Sequence, residues 1–383
     1  MKSIVSLVSI LFLSHAHAND SLTQRLDQLE LKIEELKEQG QLSNKLSIGG
    51  YGEITYTNKR SELQNGQKVS HSSNPQTDAL RNVLYVGYKF DDQWSLASEI
   101  EVEHADEIFL EQGFLNYRNG ETFNWHSGVL LIPMGIVNKV HEPNTFLAVS
   151  RSETESKIIP TTWREVGTGV HGKLNNFSYE LDLVTGLLAS GFSATGVRSG
   201  RQKASQSEAR DLAWVAQLKY SLMSGLELGT SHYIGKAGGV RTDVKHRVHD
   251  LFITAEVSGF KFKTIYAISK LDNTLSLNQE KGLTGTNAIA SEMNGGYAEL
   301  GYNVFHGKKQ WALIPFVRYE ALDTQKKLDS GFTKNLANKA TYTTFGLSTM
   351  PNQHVVLKAD YTKYENKAKT GYDTWKLGLG WLF

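Results

Sequence analysis

Tyr372-Asp373-Thr374-Trp375-Lys376-Leu377-Gly378-Leu379-Gly380-Trp381-Leu382-Phe383 is the stretch that decides the fold. Counting back from Phe383, every second residue is large and apolar: Phe383, Trp381, Leu379, Leu377 and Trp375. Between them lie Gly380, Gly378, Lys376 and Thr374, with Leu382 as the exception. A period of two is a strand with one apolar face. A soluble protein seldom leaves such a face uncovered. A strand of a transmembrane barrel shows apolar groups to lipid and small or polar groups to the lumen.

The other end of the chain points to the same compartment. Met1-Lys2 precedes an apolar run from Ile4 to Leu13, and Ala16-His17-Ala18 follows. This reads as a secretory signal, residues 1–18, cut after Ala18. The run is too short for a spanning helix, although a retained anchor is the alternative. No other stretch has the length of a transmembrane helix, so a membrane protein with this sequence must be a barrel. Composition agrees, with 34 Gly, 16 Phe, 16 Tyr and only 6 Pro. The absence of Cys excludes disulfides and thiolate metal sites. A net charge of +1 argues against nucleic acid as a partner.

Leu22, Leu26, Leu29, Ile33 and Leu36 follow a 4-3-4-3 spacing, an a/d seam. Residues 19–40 are therefore expected to form a periplasmic oligomerisation helix, stopped near Gly40. So short a helix needs partners held nearby, most naturally beneath a barrel trimer. The alternative is one amphipathic helix lying on its own domain.

Residues 45–383 repeat one unit: a strand of about ten residues, a short turn, a second strand and a longer polar loop. Short turns fall near 91–93, 119–122, 174–176, 221–225, 258–259, 306–310 and 351–353. Longer connections fall near 60–79, 132–163, 188–208, 237–245, 273–291, 322–339 and 367–370, with a tight one at 105–107. The pattern predicts an all-β, antiparallel transmembrane barrel of about sixteen strands, with both ends on the short-turn side. On several strands the alternation is plain: Phe177, Tyr179, Leu181 and Leu183 against Ser178, Glu180 and Asp182, for example. Aromatics near strand ends (Phe90, Trp94, Phe123, Trp125, Phe260, Phe262, Trp311) fit an interfacial girdle. A soluble sandwich or solenoid fits less well, because it needs one apolar core rather than an apolar face on nearly every strand.

A barrel this wide is expected to hold water, and inward residues then set what passes. Glu99, Glu101 and Glu103 share one face, a placement tolerable only in a wet lumen. Inward cations come from other strands: Arg81, Lys89, Lys219, Lys261, Lys263, Arg318, Lys358 and Lys376. Acid on one wall and base on the other would set up a field across the lumen. Residues 132–163 are too long for a hairpin turn and carry apolar pieces, Phe146-Leu147 and Ile158-Ile159-Pro160. They are expected to fold inward as a constriction, bringing His141, Glu142, Arg151, Glu153, Glu155 and Lys157, with Arg164 and Glu165 just after.

The terminal strand resembles the C-terminal assembly signal of bacterial outer-membrane barrels, carried by Trp375, Leu377, Leu379, Trp381 and Phe383. A more specific resemblance rests on Leu110-Glu111-Gln112-Gly113-Phe114, on the stretch from Gly128 to Ile136, on His141-Glu142-Pro143 and on the stretch from Ile158 to Glu165. These pieces resemble the phosphate-selective porin O/P family in its broad sense. The resemblance implies a sixteen-stranded trimeric barrel with an inward third loop and passive anion uptake. Phosphate-selective members use a dense set of inward Arg and Lys. Here Glu99, Glu101, Glu103 and Glu111 sit among the cations, so the resemblance carries the barrel and the loop but not phosphate specificity.

Other motifs lead nowhere. Gly167-Thr168-Gly169-Val170-His171-Gly172-Lys173 imitates a phosphate loop, but Leu174 stands where Ser or Thr is needed and a strand surrounds it. His246, His249 and Asp250 are spaced so that a strand puts the two His on opposite faces. There is no H-E-x-x-H and no G-x-S-x-G elbow. The expectation is therefore a non-enzymatic outer-membrane porin of a Gram-negative bacterium, a homotrimer passing small hydrophilic solutes and ions without a cofactor. Its alternative is a substrate-selective anion channel. A closed receptor barrel is a third class.

Overall fold

A computed structural model describes residues 45–69 and 75–383. The expected signal peptide and the a/d seam from Leu22 to Leu36 lie outside the described residues. Sixteen strands close into a single antiparallel barrel. They are β1 (Leu46–Leu63), β2 (Gln76–Lys89), β3 (Trp94–Glu103), β4 (Glu107–Asn119), β5 (Phe123–Leu131), β6 (Arg164–Leu174), β7 (Phe177–Thr185) and β8 (Leu212–Met223). The second half is β9 (Leu226–Ala237), β10 (Val244–Val257), β11 (Phe260–Leu271), β12 (Glu292–Tyr302), β13 (Ala312–Lys327), β14 (Lys339–Asn352), β15 (Val355–Asn366) and β16 (Tyr372–Leu382). β16 closes the ring on β1, with Tyr51 opposite Leu382. There the Gly50 N–H donates to Phe383 O and the Phe383 N–H to Gly50 O, both at 3.0 Å.

The polarity of the wall is inverted relative to a soluble protein. Leu251 is 65% exposed and Trp375 55%, whereas Asp182 is fully covered and Glu320 is 1% exposed. Along β7, Leu181 faces out and Asp182 in; along β15, Leu357 faces out and Lys358 in. Alternation of this sign belongs to a wall with lipid outside and polar contents inside. Aromatic pairs such as Phe177–Tyr220 and Phe260–Tyr302, with ring centroids 4.6 and 4.7 Å apart, mark the short-turn rim. Among the described residues no helix is long and apolar enough to cross a membrane.

Several strands outrun their expected limits, β1 and β13 among them. β1 continues to Leu63 and β13 to Lys327, where the chain was expected to be loop. The end of β13 is held from the side. Gln325 Nε2 donates to Ala288 O at 2.7 Å, and the Asn335 N–H donates to Gln325 Oε1 at 2.7 Å.

The interior also differs from a uniformly water-filled lumen. Beside β7–β13 it contains an apolar core. Ile132, Met134, Ile158, Ile159 and Trp163 pack there with Leu187, Phe192, Leu277 and Ile289, which come from two further upper connections. The wall supplies Tyr233, Phe252 and Ile265. Three long loops thus bury their apolar residues inside the barrel, because that is where they escape water.

Candidate permeation site

Residues 132–163 run between β5 and β6. Asn138 ties the two ends of the segment together: its Nδ2 donates to Ile132 O at 2.7 Å and to Trp163 O at 2.9 Å, and its Oδ1 accepts the Trp163 N–H at 2.8 Å. Gly135 has φ of +68°, and a Cβ there would lie 2.6 Å from Glu155 Oε1. Only glycine meets both demands. The Ile136 and Val137 N–H groups donate to Glu155 Oε1 at 2.7 and 3.0 Å, and Tyr297 Oη donates to Oε2 at 2.8 Å. Ile158 and Ile159 follow a single helical turn, α1 (Thr154–Lys157), and both are fully buried.

The far wall holds the middle of the segment. Arg318 donates twice to Ser150 O at 3.1 Å, and Lys376 Nζ donates to Ser150 Oγ at 2.8 Å. Lys358 Nζ donates to Ala148 O at 2.9 Å. Asp360 accepts the Val149 N–H at 2.6 Å, and Glu320 accepts the Thr154 N–H at 2.5 Å. Arg81 Nη2 donates to His141 O at 2.9 Å. The segment therefore lies across the interior. Arg318, Lys358 and Lys376 direct hydrogen bonds at its backbone and side chains rather than standing free along the wall.

Between this segment and β1–β6 lies a charged cluster. Arg164 Nη1 donates to Glu111 Oε2 at 2.7 Å, and Arg81 Nη2 to Glu53 Oε2 at 3.0 Å. His141 Nε2 stands 3.5 Å from Glu111 Oε1. Gln112 Nε2 donates to Glu99 at 2.7 Å, and Glu101 is buried beside them. The β3–β4 pairing shifts register between Glu99 and Ile100, leaving Glu111 as the extra residue of a bulge. That bulge turns both Glu111 and Gln112 inward. Tyr51 Oη, Arg81 Nη1, Glu111 Oε1, His141 Nε2, Glu142 Oε2 and Arg164 Nε are buried without a hydrogen-bond partner among the described residues. Such atoms are expected where water or a passing solute completes them.

Burial pushes the His141 imidazole down to about 3, with Arg151 and Arg81 adding repulsion, so it is neutral at ordinary pH. Arg151 is pushed down to about 10, first by burial and then by Arg81. It remains a cation and donates no hydrogen bond within the described residues.

Glu153 and Lys157 pair with each other at 3.1 Å and are about one-third exposed. Lys219 lies 3.5 Å from Glu227 at the short-turn end. Glu103 stands opposite Arg81 in the β2–β3 register. Acid and base are interleaved rather than segregated by wall: Arg318 has Glu299 at 3.7 Å, and Arg81 and Arg164 each have a glutamate. Arg81 with Glu53 and Arg318 with Glu299 are pairs of inward residues on neighbouring strands. Glu53 and Glu320 also belong to the interior but were not singled out from the sequence, and Asp250, noted there only beside His246 and His249, belongs to it too. Their inward parity was the available signal.

Below the segment, towards the short turns, lies a cavity of about 880 Å³ with Lys139, Glu180, Lys219, Glu227 and Lys263 in its wall. A second, of about 380 Å³, lies against β2–β5 and shares Lys139, His171 and Glu180 with the first.

No family model matches the chain. Over 365 residues it is 30% identical to an uncharacterized protein of Aquifex aeolicus (strain VF5), covering 90% of this chain and 81% of that one. Among solved structures it is similar to Salmonella typhi OmpF, solved in complex with daunomycin, at a TM-score of 0.60 and 11% identity, covering 89% of this chain and 98% of OmpF. It is also similar to the outer membrane channel DcaP of Acinetobacter baumannii, at a TM-score of 0.56 and 11% identity, covering 88% of this chain and 97% of DcaP. At these identities the likeness is one of fold.

Proposed function

We propose that this chain, which belongs to one family with the Aquifex aeolicus protein, is an outer-membrane porin for passive diffusion of small hydrophilic solutes and ions. One observation carries the reading: a closed barrel with an apolar outside and a charged inside is crossed by a segment whose polar flank leaves buried donors and acceptors uncompleted. Ions and polar solutes lose hydration in such a slit and regain it from fixed charges of both signs. Motion is down a gradient and calls for no cofactor. The likeness of fold to OmpF and DcaP supports the same reading.

The working unit in this proposal is a homotrimer in the outer membrane of a Gram-negative bacterium, with the signal removed and the helix from Leu22 to Leu36 in the periplasm. The refolded protein in a planar bilayer tests it. Steps of conductance in groups of three, under a potassium chloride gradient, are the expected result. A chain that folds and inserts but carries no current would overturn the proposal in favour of a closed receptor barrel.

A substrate-selective anion channel is the second reading, and Arg151 is the observation that favours it. It is a partly buried cation whose donors no described residue uses. Saturable block of chloride current by phosphate is what this reading requires.

A further inference from the structure

The glycine motif that imitates a phosphate loop has a different use in the barrel. Three neighbouring strands bring His126 (β5), Gly169 (β6) and Asp182 (β7) into one row. The Asp182 side chain lies over Gly169, where a Cβ would come within 1.9 Å of its Oδ1. Leaning across the glycine, Asp182 Oδ1 reaches His126 Nε2 at 2.7 Å. The adjacent row places Asn124, His171 and Glu180 side by side. His126, Asp182 and Glu180 each offer one ligand atom, and all three atoms lie within 4.8 Å of one another.

A second observation points to a ligand. Asp182 is fully covered, yet its Oδ2 has no hydrogen-bond partner among the described residues. A buried carboxylate oxygen left open is costly unless something completes it, and beside an imidazole and a second carboxylate a cation is a fitting partner. Glu180 lines both cavities and His126 lines the second, so an ion has a path to the group. One cation already competes there: Lys139 Nζ lies 2.6 and 2.5 Å from the two oxygens of Glu180. Lys139 belongs to the 132–163 segment, so this contact ties the segment to β7.

We propose that His126, Asp182 and Glu180 bind one divalent transition-metal ion, of which zinc is the natural case, at the junction of the two cavities, and that Lys139 holds the same carboxylate when the metal is absent. Imidazole nitrogen with carboxylate oxygen suits zinc, at bond lengths of about 2.0–2.2 Å. Three protein ligands leave the fourth position to water from the cavity. Metal binding displaces Lys139 and frees one tether of the segment.

The test is calorimetric titration of zinc chloride into the refolded, chelator-treated protein in detergent. A background carrying His232→Ala removes the outward-facing His232–His249 pair, whose Nδ1 atoms lie 2.7 Å apart. One equivalent of binding is expected. Asp182→Asn and His126→Gln should each weaken it by at least about tenfold, since even outer-shell partners cost about 10- to 100-fold. Lys139→Ala should tighten it, because the competing ammonium is gone. Lys139 is 39% exposed at its side chain, so this variant decides the matter if the buried ones fail to fold. No binding in either the parent or Lys139→Ala would overturn the proposal. So would binding that Asp182→Asn and His126→Gln leave unchanged.

Discussion

The two flanks of the 132–163 segment are built on opposite principles. Towards β7–β13 it presents Ile132, Met134, Ile158, Ile159 and Trp163 to an apolar core. Towards β1–β6 it presents His141, Arg151 and backbone oxygens to Glu53, Arg81, Glu111 and Arg164. The first flank packs apolar side chains against apolar side chains, so it fixes position. The second has unmatched polar atoms, so it has capacity for something mobile. A chain lying in a wet barrel has no intrinsic reason to stay there, because its backbone is equally well solvated outside. Burial of apolar side chains supplies that reason on one flank and leaves the other free for passage.

The apolar flank is where a single substitution should disturb the segment most. Trp163 is fully buried with its ring 4.9 Å from Tyr233. Trp163→Ala should cost about 3–5 kcal/mol and let the segment leave its seat. A lower heat-dissociation midpoint together with larger, noisier unit conductance is expected. Unchanged conductance would mean that the segment does not limit flow.

On the polar flank, Arg164→Ala leaves the covered Glu111 carboxylate without its closest cation. Breaking a fully buried pair costs about 3–5 kcal/mol. Here about 2–3 kcal/mol is expected, because the cluster borders the lumen and water can enter. Denaturant unfolding in micelles measures it.

Arg151→Ala separates charge from hydrogen bonding on the polar flank, because it removes the first without the second. Stability should move by no more than about 0.5 kcal/mol. The anion-to-cation permeability ratio, read from reversal potentials, should fall severalfold. Equal ratios in parent and variant would remove Arg151 from the permeation path.

The remaining test concerns pH. His141 has its folded-state value lowered to about 3, against about 6.5 in an unfolded chain. Its contribution to stability is fully present above about pH 6.5 and is lost as pH falls towards 3, because the unfolded chain takes up the proton first. His141→Gln should therefore flatten the fall of the heat-dissociation midpoint between pH 7 and pH 4. An unaltered slope would assign the acid sensitivity to the carboxylates.

The barrel was legible because the period of two is a property of each strand alone. Leu181 and Asp182 face opposite ways whatever lies opposite them, so strand number and polarity followed from local pattern. The apolar pieces of the 132–163 segment, Phe146-Leu147 and Ile158-Ile159, carried a signal for the same reason. What stayed hidden depends on neighbours. Nothing local says that Arg318, Lys358 and Lys376 donate to Ser150 and Ala148, because those partners are 168 to 226 residues away in the sequence. The inward turn of Glu111 depends on a bulge at Glu99–Ile100 that is defined only by the strand opposite. The row of His126, Gly169 and Asp182 exists only in the register of three strands.

The seam between β1 and β16 has a kinetic consequence. Tyr51 meets Leu382, and Gly50 meets Phe383, across the largest sequence separation the described chain offers. Every other strand pair joins sequence neighbours and forms by local hairpin closure. Distant contacts form late because loop closure must precede any gain from pairing. The ring therefore exists in a C-shaped form with two open edges until its final strand arrives. During that interval both edges can pair with another molecule. The aromatic, every-second-residue pattern of the last strand shortens that exposure, for it supplies an edge already shaped for lipid on one side and for the lumen on the other.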